Sequence, residues 1–410
     1  MADTETKRPR PTSIMEISAL HPDGRANPHP GLKALREACP VMHDEAIKTW
    51  LLSAFGDVRE TVNDRTFNRH PRHAEEGAMA RHLVDPDDPD GRRSSILFQD
   101  DPDHSRNRLP LAKAFYARIQ AMKPEIEAMI DGVIDRAPAS GQFDLMEHIA
   151  VPIPILVIAH ILGVDEERLP EFREWSEGVI LSLNPMRTAE ETARLEHGAA
   201  QLDAYFTALM DDRRRNPRED LISDMVLLQA ETEAFEDDEL RINLQALLVG
   251  GNLTTTDLIG NGVWLLLTHP EQLAALRADP GLASAAVEEV LRYEAPVQAT
   301  SRIVSEAREV AGCPMGKGAS VMMSLAAANR DPERFEAPDV FDITVQRPSH
   351  VSFGGGSHIC IGAPLARIEA RRVYEKLFAR YPVMTLPDQP LTWRTLPFFR
   401  GLETLLVAVG

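Results

Sequence analysis

The pattern of apolar and polar residues along the chain predicts a mostly helical protein. The longest helical pattern covers residues 237–267, contains no proline and begins with three acidic residues, which suit a helix N-terminus. Strand-like stretches are short and are expected at residues 49–54 and 320–326. We therefore predict a mainly α fold with minor antiparallel β sheets, near the N-terminus and around residues 295–325.

Polar stretches indicate how the chain is organised. Residues 1–30 are charged and punctuated by prolines, and they are predicted to form a flexible tail. Residues 31–410 contain no Gly/Ser linker, repeat or low-complexity run, so they are predicted to form a single domain. Within that domain, residues 68–95 have few apolar side chains and predict a long loop, a type of segment that is often functional.

Composition narrows the class of protein. Hydrophobic residues make up 43% of the chain, which is enough for a large core, and the net charge of −19 argues against nucleic acid as a partner. Three cysteines indicate no disulfide framework and fit a reducing cytoplasm. The most apolar stretches, residues 151–164 and 258–267, are shorter than the roughly 20 residues of a membrane span. We predict a cytoplasmic protein without a membrane anchor.

A glycine-rich loop at residues 353–362, with the sequence Phe-Gly-Gly-Gly-Ser-His-Ile-Cys-Ile-Gly, is the most informative stretch of the chain. Cys360 lies just ahead of a predicted helix that opens with Ala363 and Pro364, so the helix dipole and the free N–H groups there favour a thiolate. Glycines allow the backbone to fold closely around a bulky group. An inert thiol is the ordinary alternative, and the phosphate-binding pattern GxxxxGK[ST] is absent. The loop suits a thiolate that ligates a large, flat metal cofactor.

The middle of the long helix is locally unfavourable. Gly250 and Gly251 precede a run that ends in three threonines, and each glycine costs roughly 0.5–1 kcal/mol relative to alanine. Such a sequence indicates a bulge or a close approach at a functional site, or alternatively a helix crossing that requires small residues.

A basic run and an isolated charge pair complete the candidate features. Between His104 and Lys123 there are five Lys or Arg residues and no Asp or Glu, which indicates either a solvated helix face or a surface for anions. Glu289 and Arg292 are three residues apart on a predicted helix, a spacing that usually gives an exposed and weak pair.

The cysteine loop resembles the haem-binding loop of the cytochrome P450 superfamily, and the chain looks like a soluble bacterial member. The pattern Phe-Gly-x-Gly-x-His-x-Cys-x-Gly is matched at six fixed positions, namely Phe353, Gly354, Gly356, His358, Cys360 and Gly362. The resemblance implies a cytochrome P450 fold that encloses haem b, with the Cys360 thiolate as the metal ligand. In that family the thiolate donates electron density that favours O–O cleavage.

The mid-helix segment resembles the family's oxygen-binding motif, (Ala/Gly)-Gly-x-(Asp/Glu)-Thr-Thr. The resemblance implies that Thr254 hydrogen-bonds dioxygen and relays protons, and it assigns catalytic roles to Gly251, Asn252, Thr254 and Thr255. Leu253 departs from the pattern because it occupies the acid position and cannot carry a proton. Asn252 or Asp257 could order a water molecule instead.

Further matches concern the haem propionates and the structural core. His104 and Arg108 resemble a His-x-x-x-Arg motif that contacts a propionate, although Pro110 departs from a regular helix. The resemblance adds Arg302 and His358 to these propionate ligands. Glu289 and Arg292 resemble the family's structural Glu-x-x-Arg pair, with Arg347 as the candidate third member. The residues expected to line the substrate pocket are Val297, Gln298, Phe398 and Phe399, and a plain core role for the two phenylalanines is equally open.

The function implied by the resemblance is monooxygenation of a small, apolar organic substrate by O₂. Electrons would come from a separate reductase through an acidic ferredoxin, docked on a basic proximal face that joins the 104–123 helix to Arg367, Arg371 and Arg372. Because Leu253 replaces the acid, a peroxide-driven peroxygenase or a rearrangement enzyme is the alternative, and a haem sensor without turnover is a third. The identity of the substrate does not follow from the sequence.

Overall fold

The computed structural model describes residues 11–85, 87–91, 93–232 and 235–410. These residues are mainly helical, as predicted. Within them the α-helices are α1 Pro22–Ala26, α2 His29–Ala38, α3 Phe55–Asn63, α4 Asp103–Ala121, α5 Lys123–Arg136, α6 Pro152–Leu162, α7 Leu169–Val179, α8 Ala189–Arg215, α9 Leu221–Thr232, α10 Asp237–Thr268, α11 Pro270–Ala278, α12 Ala283–Tyr293, α13 Leu325–Ala328 and α14 Ala363–Arg380.

The strands of the described residues form three small sheets. Their bounds are β1 Val41–Asp44, β2 Thr49–Leu52, β3 Gly141–Asp144, β4 Ala299–Ile303, β5 Arg308–Val310, β6 Cys313–Met315, β7 Ser320–Ser324, β8 Met384–Thr385 and β9 Leu406–Val409. The first sheet has the order β1-β2-β7-β4, the second β3-β9-β8 and the third β5-β6. The two predicted sheet regions therefore join in one sheet, and its β2–β7 pair is parallel rather than antiparallel.

Helix α10 crosses the main hydrophobic core and is buried on most of its surface. It packs against α6, α8, α12 and α14. A helix that is buried around its circumference needs small residues wherever another element approaches. At Gly251 an added Cβ would lie 3.4 Å from Ile158 of α6, and α10 continues through this point without a bulge. A separation of 3.4 Å is ordinary van der Waals contact, so neither a bulge nor a steric clash with α6 explains this glycine.

The predicted flexible tail is wrong for residues 11–30, while residues 1–10 lie outside the described part of the chain. Residues Ile14–Ile17 form a 3₁₀ turn with a capping box between Ser13 and Glu16. Ile14 is fully buried, and Asp44 accepts hydrogen bonds from the Ser13 hydroxyl (2.7 Å) and the Ile14 N–H (2.8 Å). Polar composition misled the prediction because these polar groups bond within the protein.

The 68–95 segment is largely irregular, as expected for a loop, apart from short 3₁₀ turns at Pro71–His73 and Met79–Leu83. Residues 86 and 92 of this segment lie outside the described part. The loop is anchored next to β4, because Asn68 and Ile303 exchange backbone hydrogen bonds of 2.8 Å in both directions. This anchoring holds Arg69 beside the candidate site.

Candidate active site

The loop around Cys360 is held in a tight turn ahead of α14. The N–H of Cys360 donates to the Phe353 carbonyl over 2.9 Å, and residues Gly356–His358 form a 3₁₀ turn. Gly356 has φ +63°, and a Cβ there would come within 2.7 Å of the Val62 carbonyl oxygen. Glycine is therefore required at this position for both conformation and space. Arg367 of α14 lies over the Phe353 ring at 4.6 Å.

The Cys360 thiol faces an internal cavity. The Cys360 side chain is exposed to the cavity. Protein atoms surround it on its other sides, and this burial raises the pKa of the thiol. Backbone N–H groups of Gly362 and Ala363 and the charge of Arg108 act in the opposite direction but do not outweigh burial. The N–H groups at the start of α14 thus favour the thiolate, as expected, but burial of the thiol is the larger effect on its pKa. A bound metal ion deprotonates a coordinating thiol outright.

A buried hydrogen-bond network connects α12 to the start of this loop. Glu289 and Arg292 form a bidentate ion pair of 2.7 Å, and both side chains are buried. Arg292 also donates to the Asn329 carbonyl at 3.1 Å, and the Asn329 side chain donates to the Ser352 hydroxyl at 2.7 Å. Arg347 approaches Glu289 at 3.1 Å. The charge pair thus bonds to the residues that support the segment entering the cysteine loop.

The cavity has a volume of about 310 Å³ and lies between the Cys360 loop and α10. Of the residues singled out from sequence, those on its wall are Gly250, Gly251, Thr254, Thr255, Arg108, Arg302, Val297, Phe353, Gly354, His358, Cys360 and Gly362. Residues as far apart along the chain as Arg108 and Gly362 therefore meet around one space. Their convergence is the main structural argument for a single active site.

Helix α10 presents a hydroxyl to this cavity. Thr254 lies on the wall, and its hydroxyl donates to the Gly250 carbonyl at 2.9 Å, a bond within the helix. Among the described residues, Asn252 and Leu253 are buried and are not part of the cavity wall; Leu253 packs in the apolar core. The predicted role of Asn252 in ordering water at the cavity therefore lacks the required position.

Asp257 is buried away from the wall. Arg394 donates to its Oδ1 at 3.0 Å, while Oδ2 has no hydrogen-bond partner in the described part of the chain. Burial raises the pKa of this carboxyl to about 6, and the charge of Arg394 lowers it in part. Gly401 packs so closely that a Cβ would lie 2.0 Å from the carboxylate. Asp257 therefore joins α10 to the C-terminal segment and does not line the cavity.

Positive and imidazole groups gather at one side of the cavity. His104 and His358 stack with ring centroids 4.0 Å apart, and both have lowered pKa values, chiefly because of burial; that of His104 falls to about 4. Both rings are therefore neutral near pH 7. Arg108 donates to the Ile359 carbonyl, and Arg302 donates to the carbonyls of Val62 and Ser301. These guanidiniums bond to neutral carbonyls within the described chain.

His104 has a further property that sequence could not show. It is 1% exposed, and in the described part of the chain neither ring nitrogen has a hydrogen-bond partner. Asp101 lies 3.9 Å from Nδ1, which is too far for a hydrogen bond. Helix α4 begins at Asp103 and accommodates Pro110 within it, so His104 and Arg108 lie on one helix as predicted.

The predicted substrate-pocket residues divide into two groups. Val297 lines the cavity, whereas Gln298, Phe398 and Phe399 lie around a separate, much smaller cavity of about 20 Å³ among the described residues. Phe398 packs with the core near the N-terminus, which is the alternative core role. Wall residues without a sequence prediction include Arg69, Ile96, Leu97, Phe115, Ile158, Asn243, Ala246, Leu247 and Leu258. They carry no local motif, and only the tertiary fold brings them to the wall.

The basic surface predicted around α4 is largely neutralised by acidic partners. Arg106 pairs with Glu239 and Asp103, and Arg118 pairs with Asp224 at 2.5 Å. On α14 and beside it the pairs are Arg367–Glu288, Arg371–Glu127 and Arg372–Asp131. Counting cations along the sequence overestimated the positive charge, because the acidic partners come from distant segments. Lys113 of α4 is exposed.

Comparison with known proteins agrees with this geometry. The family described as Cytochrome P450 matches residues 281–397. The chain is 36% identical over 407 residues to the cytochrome P450 monooxygenase PikC of Streptomyces venezuelae, covering 96% of this chain and 93% of that protein. It is 36% identical to the vitamin D(3) 25-hydroxylase of Pseudonocardia autotrophica, covering 94% of each.

Solved structures show the same relationship. The crystal structure of P450BioI in complex with an acyl carrier protein that carries hexadec-9Z-enoic acid has a TM-score of 0.85 and 34% sequence identity, covering 93% of this chain and 98% of that chain. The structure of CalO2 has a TM-score of 0.87 at 30% identity and covers 98% of this chain and 99% of that chain. In the described ranges, no helix is both long enough and apolar enough to span a bilayer.

Proposed function

This chain belongs to the cytochrome P450 family, and we propose that it binds haem b through Cys360 and hydroxylates an apolar organic substrate with electrons from a separate ferredoxin. As a cytochrome P450 monooxygenase it is an oxidoreductase that uses haem, O₂ and an organic substrate. We further propose one haem-containing domain that includes residues 11–30, and a cytoplasmic location. The observation that carries the proposal is the convergence of Cys360, Thr254, Arg108, Arg302 and His358 on one cavity, with His104 stacked on His358 outside the wall.

The side chains around the cavity fit a haem. Haem carries two propionate carboxylates, and Arg108 and Arg302 bond only to neutral carbonyls in the described chain. Arg302 is buried and Arg108 half-buried, and a buried guanidinium is costly unless an anion compensates it. His104 also keeps a buried ring without hydrogen-bond partners. We propose that Arg108, Arg302, His104 and His358 hold the propionates and that Cys360 ligates the iron.

Each proposed residue has a limited task in the reaction. When bound, haem with a thiolate ligand supplies the chemistry of O–O cleavage. The Thr254 hydroxyl lies on the wall of the same cavity. While its hydrogen is donated to the Gly250 carbonyl, its lone pairs can accept a hydrogen bond from the cavity, and it can donate there only after leaving that carbonyl. The apolar side chains of Phe115, Leu247 and Val297 hold an apolar substrate and exclude water. One oxygen atom enters the substrate, and the other leaves as water after two electrons and two protons arrive.

Replacing Thr254 by alanine tests the proton relay. We expect product formation to fall by roughly 100-fold, the lower end of what a positioned proton-transfer group contributes, while hydrogen peroxide release rises. Product and peroxide are measured against the reductant consumed. The control is Thr256→Ala, because Thr256 is a buried neighbour that is absent from the described cavity wall. If Thr254→Ala formed as much product per reductant consumed as the parent protein, or if both variants lost product formation equally, Thr254 would not be part of the relay.

A peroxide-driven reaction is the second candidate, and one observation favours it. Leu253 packs in the apolar core, and the nearby acid Asp257 is bonded to Arg394, so neither supplies the usual acid beside Thr254. A Leu253→Glu variant would bury a carboxylate, which is costly, and would therefore test folding as much as chemistry. The unaltered protein gives the clearer comparison. Faster turnover with hydrogen peroxide than with O₂ and a ferredoxin–reductase pair would favour the peroxygenase.

The ferredoxin is proposed to dock on α4 beside the cysteine loop. Arg108 of this helix contacts the Ile359 carbonyl, one residue before Cys360. Leu109, Lys113 and Tyr116 share one helix face by their spacing and are exposed, Leu109 by 69%. An apolar patch around a cation suits an acidic partner with an apolar centre. Arg106 is a poor reporter of docking because it forms internal ion pairs.

Charge reversal at Lys113 tests this docking surface. We expect Lys113→Glu to slow reduction by an acidic ferredoxin several-fold at low ionic strength, because it removes attraction and adds repulsion. The difference should vanish near 1 M salt, where the Debye length is about 3 Å. Stopped-flow reduction at several salt concentrations measures it, with Lys317→Glu in the β6–β7 turn as the charge-matched control. A Lys113→Glu rate equal to that of the control at every salt concentration would rule out this surface.

A further inference from the structure

Arg69 is a third guanidinium on the cavity wall, and no motif in the sequence identified it. It follows Asn68, whose backbone pairs with Ile303 of β4, so its position beside the strand is fixed. Its Nη1 donates to the Ser301 carbonyl at 3.0 Å and to the Ser301 hydroxyl at 2.8 Å. The guanidinium carbon lies 5.3 Å from the centre of the Phe98 ring.

The Arg69 guanidinium bonds to neutral acceptors only, within the part of the chain that the structure describes. The nearest acid in the same network is Asp100, but its carboxylate accepts the backbone N–H groups of Arg69 and His70 and approaches His73 at 3.3 Å. Burial and the charge of Arg302 lower the pKa of Arg69 to about 9, so it remains a cation at pH 7. A desolvated cation in this position is costly without an anion close to it.

Asp100 offsets part of the charge of Arg69 and Arg302, but within the described chain its carboxylate forms no hydrogen bond with the Arg69 guanidinium. Arg108, Arg302 and Arg69 contribute three positive charges to the cavity wall. Two propionates carry two negative charges, for which Arg108 and Arg302 are already proposed. A propionate shared between two arginines, or a substrate carboxylate, would give the Arg69 guanidinium the direct carboxylate contact that Asp100 does not make. The planar fork of arginine is well matched to a carboxylate.

Part of the cavity wall is apolar, beside polar residues such as Asn243 and Thr300. Ile96, Leu97, Phe115 and Leu247 line the cavity together with Arg69. A ligand with an apolar body and one carboxylate would bury its chain against these residues and neutralise the guanidinium at the same time.

We propose that Arg69 binds a carboxylate inside the cavity, either a haem propionate or the acid group of an organic substrate. The inference rests on the proposed haem function. It extends that function by assigning a positioning residue outside the family motifs. If the propionates do not bind Arg69, the proposed substrate is an organic acid with an apolar chain.

Two variants of the holoenzyme test the proposal. Arg69→Gln removes the charge at similar length, and Arg69→Lys keeps the charge but loses the fork. Arg59→Gln, on the exposed surface of α3, is the matched control. The first readout is the rate at which haem transfers to excess apomyoglobin. The second is the affinity for dodecanoic acid and for dodecan-1-ol, measured by the shift of the Soret band.

The expected results separate the two sources of the carboxylate. If a propionate is bound, Arg69→Gln loses haem at least about 10-fold faster than the parent protein, and Arg59→Gln does not. If a substrate acid is bound, haem loss is unchanged and the affinity for dodecanoic acid falls at least about 10-fold, with little change for dodecan-1-ol and partial recovery in Arg69→Lys. Unchanged haem loss together with equal effects on acid and alcohol would overturn the proposal. A parent protein that binds no haem would instead overturn the proposed function.

Discussion

The Cys360→Ser variant is expected to lose more than about 100-fold of its O₂-driven turnover. Removing a residue that only hydrogen-bonds to a metal ligand costs roughly 10–100-fold, and Cys360 is proposed as the ligand itself. Cys360 lies on the cavity wall at the start of α14, and a serine oxygen cannot supply the soft, electron-rich ligand of a thiolate. Turnover is measured with a ferredoxin–reductase pair, and haem content is measured in parallel so that loss of cofactor is separated from loss of activity.

The other two cysteines provide matched controls. Cys39 and Cys313 do not belong to the described wall of the cavity, and Cys39 donates to the Val41 carbonyl. Cys39→Ser and Cys313→Ser are therefore expected to retain activity. If Cys360→Ser kept the activity of these two controls, the proposed ligand would be wrong.

Replacing Arg292 by leucine is expected to lower the free energy of unfolding by about 3–5 kcal/mol, the cost of leaving one partner of a buried ion pair uncompensated. Arg292 bonds to Glu289 and to the carbonyls of Asn329, Pro338 and Val340. Its loss leaves a buried carboxylate near Arg347 and bonded to the Asp342 N–H, without the bidentate partner. It also removes support from the segment that enters the cysteine loop. Denaturant unfolding followed by far-UV circular dichroism measures the change.

The control for this prediction is an exposed ion pair on another helix. Arg173 and Glu177 pair at 3.0 Å with side chains exposed by 45% and 34%. Arg173→Leu should change the unfolding free energy by less than about 1 kcal/mol, as for other surface pairs. Equal unfolding midpoints for the Arg292 and Arg173 variants would show that burial of the α12 pair does not matter for stability.

Local sequence predicted the parts of the site that depend on local chemistry. Glycines are needed in the loop around Cys360 where φ is positive and where the backbone approaches Val62. This requirement could be predicted because the glycines lie next to Cys360 in the sequence. The same holds for α10, whose lack of proline and acidic start predicted its extent to within a residue at each end. Long, periodic elements and backbone-constrained loops are the most predictable features of a chain.

Long-range contacts limited the rest of the prediction. The basic run of α4 was interpreted without the acids of α9 and α10, which pair with Arg118 and Arg106 in the fold. Arg69 carries no motif and reaches the cavity only because Asn68 pairs with β4. The flexible tail was predicted from polar composition, yet Ser13 and Asp44 satisfy each other across 31 positions. In each case the partner that decides the outcome is distant in sequence.

The absorption spectrum of the dithionite-reduced protein with carbon monoxide tests the central claim most directly, because the Soret position reports the ligand opposite carbon monoxide. A strongly red-shifted Soret band that disappears in Cys360→Ser is the result predicted for a haem held by the Cys360 thiolate. A protein without a haem band, or a band typical of histidine ligation that survives in Cys360→Ser, would contradict the assignment of Cys360 and the function built on it.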